Sequence, residues 1–402
     1  MQLYRAPWVI PVATPPIQDG AVLVQNGNIL KVGTFYALKG MAPLTTDYED
    51  SVITPALVNG HCHLELSHLA RLGQEGNWDG NMAAWIKKLL ALRDQLVDAD
   101  VVTEAREALA SLHASGTGLV CDVGNGIDSA EIGNSSSAEV CFLLELLGLS
   151  QFGEQRARES LEEAIRQGKN DGDGLDCTPH APYSCTTGLL KMVKEDSRRR
   201  GGLFSIHVAE SEDEIEFLQT ATGRLRTFVE ERGAWDGSFQ PPGCGAVEYL
   251  ENLKVLDAHT LCVHSVHISD QELSLLAQRN AKVCVCPGSN RYLGVGVAPV
   301  MKMISHGILP AIGTDSLASN PGLNLWEEMR ILREDHPGID PKTLFTMATQ
   351  AGAAALGREE YGTISPGKTG RMLAVQCRAD RGSDVMDLLT TMGSEAEVSW
   401  IA

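Results

Sequence analysis

Between residues 52 and 313 the sequence alternates apolar strand-like runs with helical segments, and this alternation limits the possible folds more than any other feature. Strand-like runs fall at 52–58, 119–123, 140–144, 175–178, 203–208, 261–264, 283–286 and 309–313. Helical periodicity lies between them, at 82–97, 102–114 and 154–167, then from Ser211 and near 270–277. In the first of these, Ile86, Leu89, Leu90 and Leu92 recur at core-facing spacing. Repeated strand–helix units of this length favour an α/β chain, a (β/α)8 TIM-type barrel, over a sandwich or a bundle.

The two ends read differently. Residues 1–54 are short apolar runs and turns, with Pro15-Pro16 opposing helix and Asn26-Gly27 signalling a hairpin. Residues 362–370 are again turn chemistry, and 372–377 a strand. We therefore expect 1–54 and 361–402 to pair into a small β-sandwich domain, with 55–360 inserted between them as a metal-dependent hydrolase barrel.

Polar residues gather where the strand-like runs stop. His61 and His63 close the first run, and residues two apart on a strand point to one side. Taken alone, His-x-His reads equally well as two satisfied histidines. His180 follows 175–178, His207 and Glu210 end 203–208, and His264 and Asp315 close later runs. In a parallel barrel those ends share one face, so these side chains are expected to converge.

Three imidazoles and a carboxylate, from His61, His63, His207 and Asp315, suit one Zn²⁺ per chain, with Fe²⁺ as a substitute. A cation there lowers the pKa of water from 15.7 toward about 7. Asp315, in Gly313-Thr-Asp-Ser316, is placed to accept the water proton; read alone it is a helix-cap aspartate. The acidic run 210–216 is mostly a solvated helix face. Glu210, nearest the strand end, is the exception: it can protonate a ring nitrogen and relay a proton to a leaving group. His264 is expected to orient the water, with a satisfied buried histidine as its plainer reading, and His267 is structural. His180, in Pro179-His-Ala-Pro-Tyr183, is a candidate substrate contact or part of a rigid turn.

Charge narrows the partners. The 402 residues carry a net −19, with 43% hydrophobic and 21% charged residues. Such a surface repels phosphate backbones and anionic lipid, so neither nucleic acid nor membrane is expected. The first residues lack signal-peptide character, and no apolar run approaches the ~18 residues of a membrane span. Ten cysteines are scattered without a C-x-x-C, which reads as the reduced, buried thiols of a cytoplasmic protein.

Six stretches carry a resemblance: Asn59-Gly-His-Cys-His-Leu-Glu65, Pro179-His-Ala-Pro-Tyr-Ser184, His207-Val-Ala-Glu-Ser211, Val263-His-Ser-Val-His-Ile-Ser269, Cys286-Pro-Gly-Ser-Asn-Arg-Tyr-Leu-Gly294 and Gly313-Thr-Asp-Ser-Leu-Ala-Ser-Asn320. In this order they resemble the amidohydrolase superfamily, and within it the nucleoside deaminase and chlorohydrolase branch. The resemblance implies a metal-bearing barrel with a split small domain. It implies ligands at His61, His63, His207 and Asp315, and catalysis by Glu210 and His264. No lysine stands at the strand end before His180, which favours one metal. Two departures stand out: Gly370-Arg-Met-Leu replaces the family's Ala-Asp-Leu, and 224–245 looks like an insertion near the substrate pocket.

Within the branch, Leu64-Glu-Leu-Ser67 and Ser289-Asn-Arg-Tyr-Leu-Gly294 look most like 6-aminodeoxyfutalosine deaminases of a menaquinone route. That resemblance implies a small-molecule nucleoside substrate whose adenine becomes hypoxanthine, and a homodimer is compatible with it. Expected substrate contacts are Glu65, Trp85, His180, Ser289, Asn290 and Arg291. A benzoate carboxylate on such a substrate calls for a cation, Arg291 first, with Arg71, Arg224 and Arg226 as alternatives. Trp78 or Trp85 can stack on a purine. Rival readings are a 5′-methylthioadenosine/S-adenosylhomocysteine deaminase, a triazine-type chlorohydrolase and a non-catalytic metal-binding subunit.

Overall fold

The computed structural model describes residues 1–76, 78–96, 100–126, 132, 138–166 and 175–401. Both chain ends enter one seven-stranded sheet. Its strands are β1 (Gln2–Val9), β2 (Ile17–Gln25), β3 (Asn28–Thr34), β4 (Leu44–Asp47) and β5 (Ser51–Pro55), joined by β14 (Met372–Gln376) and β15 (Val398–Ile401). β14 runs antiparallel to β5, Met372 opposite Pro55 and Gln376 opposite Ser51, so the C-terminal segment closes on the N-terminal one. The hydrogen bonds define a single sheet where the sequence reading expected a sandwich. Tyr4, Val22, Ile53 and Met372 share one apolar cluster on it, as alternating strand positions require.

The middle of the chain makes two four-stranded parallel sheets. One is β6 (Leu57–Cys62), β7 (Thr117–Gly124), β8 (Glu139–Leu146) and β9 (Cys177–Pro179). The other is β10 (Phe204–Val208), β11 (Thr260–His264), β12 (Lys282–Val285) and β13 (Ala311–Ile312). The sheets meet at two seams. At one, Cys62 and Asp315 form a parallel bridge, and Thr314 and Asp315 donate their N–H groups to His61 O, each at 3.1 Å. At the other, His207 N donates to His180 O at 2.9 Å and Ser205 N to Thr178 Oγ1 at 2.8 Å. β6, β7, β10 and β11 are buried along their whole length, which explains runs of Val, Ile, Leu and Cys without alternation.

Helix Met82–Gln95 begins where Asn81 Oδ1 accepts from Ala84 N at 3.0 Å. Its apolar stripe packs inward as its spacing suggested, with Met82 and Leu89 in buried apolar clusters, and it also forms the wall of a cavity. Leu89 is buried, Ile86 and Leu90 only partly, and all three line a cavity with Met82 and Trp85. Helix Gln151–Arg166 follows β8, with the last predicted position, 167, outside the described residues. Among the described residues no helix is long and apolar enough to cross a membrane. The cysteines are free, eight of them buried.

The segment after His63 is held against the loop after β13. A Cβ at Gly73 would stand 2.1 Å from Leu317 O and 2.9 Å from Asn320 O, closer than any side chain tolerates. Gly73→Ala should therefore destabilise the fold by about 1–3 kcal/mol. Thermal unfolding checks it: an unchanged midpoint would show that this loop contact is not tight.

Candidate active site

The ends of β6 and β10 bring three imidazoles together. His61 Nε2 lies 3.1 Å from His63 Nε2, His63 Nε2 3.2 Å from His207 Nε2, and His207 Nε2 3.1 Å from His61 Nε2. All three residues are buried. Proton accounting decides what this triangle is. His63 Nδ1 sits 2.7 Å from Val123 O, and His207 Nδ1 2.8 Å from His180 O. A carbonyl only accepts, so both Nδ1 atoms carry a proton, and in the neutral rings both Nε2 atoms present lone pairs. Burial lowers the His63 pKa, but Glu145 and Asp315 outweigh it and raise it, so a cation at the triangle would take the place of its second proton. Two lone pairs at 3.2 Å repel unless a cation stands between them. Nitrogens this far apart could all reach one ion at the ~2.0–2.1 Å Zn–N length. The donor set therefore fits a divalent metal. Burial first, then the neighbouring histidines, hold His61 and His207 well below the ordinary imidazole pKa, in the neutral form a ligand needs.

Asp315 stands beside this triangle rather than within it. Its Oδ1 is 3.6 Å from His63 Nε2 and 3.8 Å from His61 Nε2. Oδ2 accepts from Ser289 Oγ at 2.6 Å and Ser319 Oγ at 2.8 Å. Burial alone would raise this carboxyl. His63, His264, His61 and the Ser289 hydroxyl outweigh it and bring the pKa to about 2. Asp315 is thus an anion that can complete the coordination of a cation or accept a proton.

Glu210 has the opposite poise. It is buried, and burial first, with Asp315 second, pushes its pKa from 4.5 to about 8. At neutral pH it carries a proton it can give. His264 Nε2 lies 3.6 Å from Glu210 Oε1, while Nδ1 donates to Asn290 Oδ1 at 3.0 Å. Burial lowers the His264 pKa, so its Nε2 is a lone pair beside the protonated acid. Two carboxyls with separated pKa values on one wall form an acid–base pair. The backbone is strained here: Ala209, His264, Ser265 and Asp315 have φ of 51°, 68°, 51° and 57°.

These groups open on a cavity of about 560 Å³. His63, Glu65, Trp85, His180 and Glu210 line it, so the expected contacts at 65, 85 and 180 reach it. Ser289 and Asn290 turn instead to Asp315 and His264, which they hold in place. Arg291 also points elsewhere: it pairs with Glu334 and Asp335, each at 2.8 Å. Arg71 pairs with Glu75, Arg224 with Asp213 and Arg226 with Glu230. The arginines that do line the cavity are Arg93, Arg156 and Arg232, and among the described residues none pairs with a carboxylate. Trp78 donates to Tyr292 OH at 3.2 Å and lies outside the lining.

Glu145, at the end of β8, was not foreseen. It is 7% exposed, and its Oε1, without a hydrogen-bond partner among the described residues, is 3.8 Å from His207 Nδ1. Its run Leu143-Leu-Glu-Leu146 reads as an ordinary strand, and only the shared strand-end face gives it away. The acidic run 210–216 also departs from a solvated face, since Asp213 and Glu214 are buried.

Parallel strands ending in a metal-fitting histidine triad beside a low-pKa and a high-pKa carboxyl define a hydrolase. The chain belongs to the amidohydrolase family, whose model matches residues 52–392. A 5-methylthioadenosine/S-adenosylhomocysteine deaminase of Moorella thermoacetica is 29% identical over 92% of this chain and 84% of its own. The crystal structure of Helicobacter pylori aminofutalosine deaminase with methylthio-coformycin superposes with a TM-score of 0.85 at 22% identity, covering 99% of this chain and 98% of that one. An adenosine deaminase from Xanthomonas campestris with bound zinc gives 0.78 at 21% identity, over 97% and 88%.

The Glu210 pKa carries a sign that stability can read. The folded carboxyl keeps its proton to about 8, an unfolded one to about 4.5, so its contribution is full below 4.5 and lost as pH rises through 8. In chelator-treated protein, Glu210→Gln should lose less thermal stability than wild type between about pH 5 and pH 9. Parallel curves would mean that Glu210 ionises normally.

Proposed function

We propose that the protein is a metal-dependent aminohydrolase that deaminates the adenine ring of an adenosine derivative, with 6-aminodeoxyfutalosine as the preferred substrate. The single observation that carries this reading is the buried protonated Glu210 set beside three convergent imidazoles and an ionised Asp315. The family relatives that deaminate adenosine derivatives support the substrate class. We read the two four-stranded sheets as one closed (β/α)8 barrel, residues 55–360, with 1–54 and 361–402 as the small domain. A cytoplasmic location fits this reading.

His61, His63 and His207, with Asp315, would hold one zinc ion, the metal named for the Xanthomonas enzyme. Bound there, the cation supplies Lewis acidity that makes water nucleophilic near neutral pH. The side chains do the rest. Asp315 Oδ1 takes a proton from the attacking water, with His264 Nε2 fixing its direction. Glu210 gives its proton to ring nitrogen N1, which makes C6 electrophilic. The water oxygen bonds to C6, the proton held by Asp315 passes to the amine, and the C6–N bond breaks as ammonia leaves. The proton of the new C6 hydroxyl returns to Glu210, and the hypoxanthine product keeps the proton on N1. Trp85 and the apolar wall of its helix cover the base.

The second reading, 5′-methylthioadenosine/S-adenosylhomocysteine deamination, has the curated relatives in its favour. The arm on the ribose separates the two. The cavity is at the middle of the range that encloses drug-sized ligands, and its three unpaired arginines suit an anionic arm. Losing a charge-assisted contact costs about 10–100-fold, so Arg156→Ala or Arg232→Ala should lower kcat/KM on a carboxylate-bearing substrate by that factor. Turnover of 5′-methylthioadenosine should stay within about twofold. Ammonia release from a panel of 5′-substituted adenosines checks both, and a wild-type preference for the uncharged arm would reverse the assignment.

Metal content tests the triad. His63→Ala should yield protein with less than about a tenth of the wild-type zinc after dialysis. Zinc equal to wild type would remove His63 from the site.

A further inference from the structure

Two helices in this chain start with the same tetrad, Ser-x-x-Glu, and use it differently. At helix Asp270–Arg279 it forms an ordinary capping box. Ser269 Oγ accepts from Glu272 N at 3.2 Å, and Glu272 Oε2 accepts from Ser269 N at 3.0 Å. At helix Glu212–Thr220, Ser211 Oγ likewise accepts from Glu214 N, at 3.3 Å. Glu214, however, does not return to the Ser211 backbone. Its two oxygens reach one turn further back: Oε1 accepts from Ala209 N at 3.0 Å and Oε2 from Glu210 N at 2.9 Å.

That diversion lands on the strained turn that aims the acid. Ala209 is left-handed, with φ 51°, a conformation a residue with a Cβ holds only when its surroundings impose it. Its carbonyl is caught too, accepting from Val266 N at 2.9 Å and His267 N at 2.8 Å in the loop just after His264. The peptide groups around Ala209 thus tie Glu214 on one side to the His264 loop on the other. Glu214 is fully buried, and Arg224, on the following helix Gly223–Glu231, pairs with Asp213 instead. Glu272 is also buried and accepts from backbone N–H groups, among them those of Ser269 and Val247; Glu214 differs in that both of its donors belong to the turn that carries Glu210.

We infer that Glu214 is a positioning residue for the reaction, clamping the Ala209–Glu210 turn so that the Glu210 carboxyl faces His264 and the substrate base. The inference rests on Glu210 acting in catalysis. Glu214→Gln turns an N–H donor toward one of the two N–H groups and opens the clamp. A displacement of about 1 Å at a reacting group costs on the order of 10²-fold. We expect kcat for ammonia release to fall about 10–100-fold, with KM within about twofold and zinc content unchanged. Glu214→Asp keeps the carboxyl group, loses the reach for one bond and should fall between. Ser211→Ala removes the helix cap alone, so it should lower the melting temperature and leave kcat within about twofold.

The decisive measurement is a double-mutant cycle. If Glu214 works through Glu210, Glu214→Gln in a Glu210→Gln background should cost nothing further in kcat. Additive losses, an unimpaired Glu214→Gln, or loss of zinc would each overturn the inference. Should Glu214→Gln not fold, Glu214→Asp enters the same cycle. Wild type that releases no ammonia from any adenosine derivative would instead overturn the deaminase reading itself.

Discussion

Two buried nitrogen lone pairs held 3.2 Å apart are the constraint on which the rest of this structure depends. Each is created by a carbonyl behind it, Val123 O at the end of β7 and His180 O just past β9. The backbone of neighbouring strands therefore sets which ring nitrogen of His63 and of His207 carries the proton in the neutral form, and a cation relieves the result. Strand register thus becomes electrostatics. A slip of one residue in β6 or β10 would turn the imidazoles away and remove the site together with the reason for it.

Around that centre the charges sort by environment rather than by residue type. Asp315, facing three histidines and two hydroxyls, stays ionised to about 2. Glu210 and Glu214 are raised to about 8, in both cases chiefly by burial. Glu328 is raised to about 8 as well, yet it accepts from Gly288 N at 2.7 Å and serves the loop that carries Ser289 and Asn290. A perturbed carboxyl marks a task in catalysis only when it also reaches the cavity, as Glu210 does and Glu328 does not.

The cavity draws its walls from parts that look unrelated in sequence. Trp85 and Leu89 come from the helix after β6, Arg156 from the helix after β8, and Phe228 and Arg232 from the 224–245 segment. Lys87 and Glu231 pair across two of these walls. The 224–245 segment thus contributes to the pocket. Arg291, which the motif favoured, faces solvent carboxylates because its helix, Pro287–Leu293, presents Ser289 and Asn290 inward and Arg291 outward.

Spacing along the chain was enough to single out the three histidines and the glutamate, Glu210, that the fold brings to one cavity. Strand periodicity forces His61 and His63 to one side, and a histidine or carboxylate at successive strand ends can only converge in a parallel fold. The pairing of the two chain ends was legible for the same reason, since short apolar runs flanked by turns need partners. What tertiary structure alone decided were the choices that periodicity leaves open. It decided that the stripe of helix Met82–Gln95 lines a cavity as well as packing on the core, that Arg156 and Arg232 rather than Arg291 line the pocket, and that Glu145 and Glu214 are buried. A helical or strand repeat fixes which residues share a face; what stands opposite that face is set by chain segments hundreds of residues away.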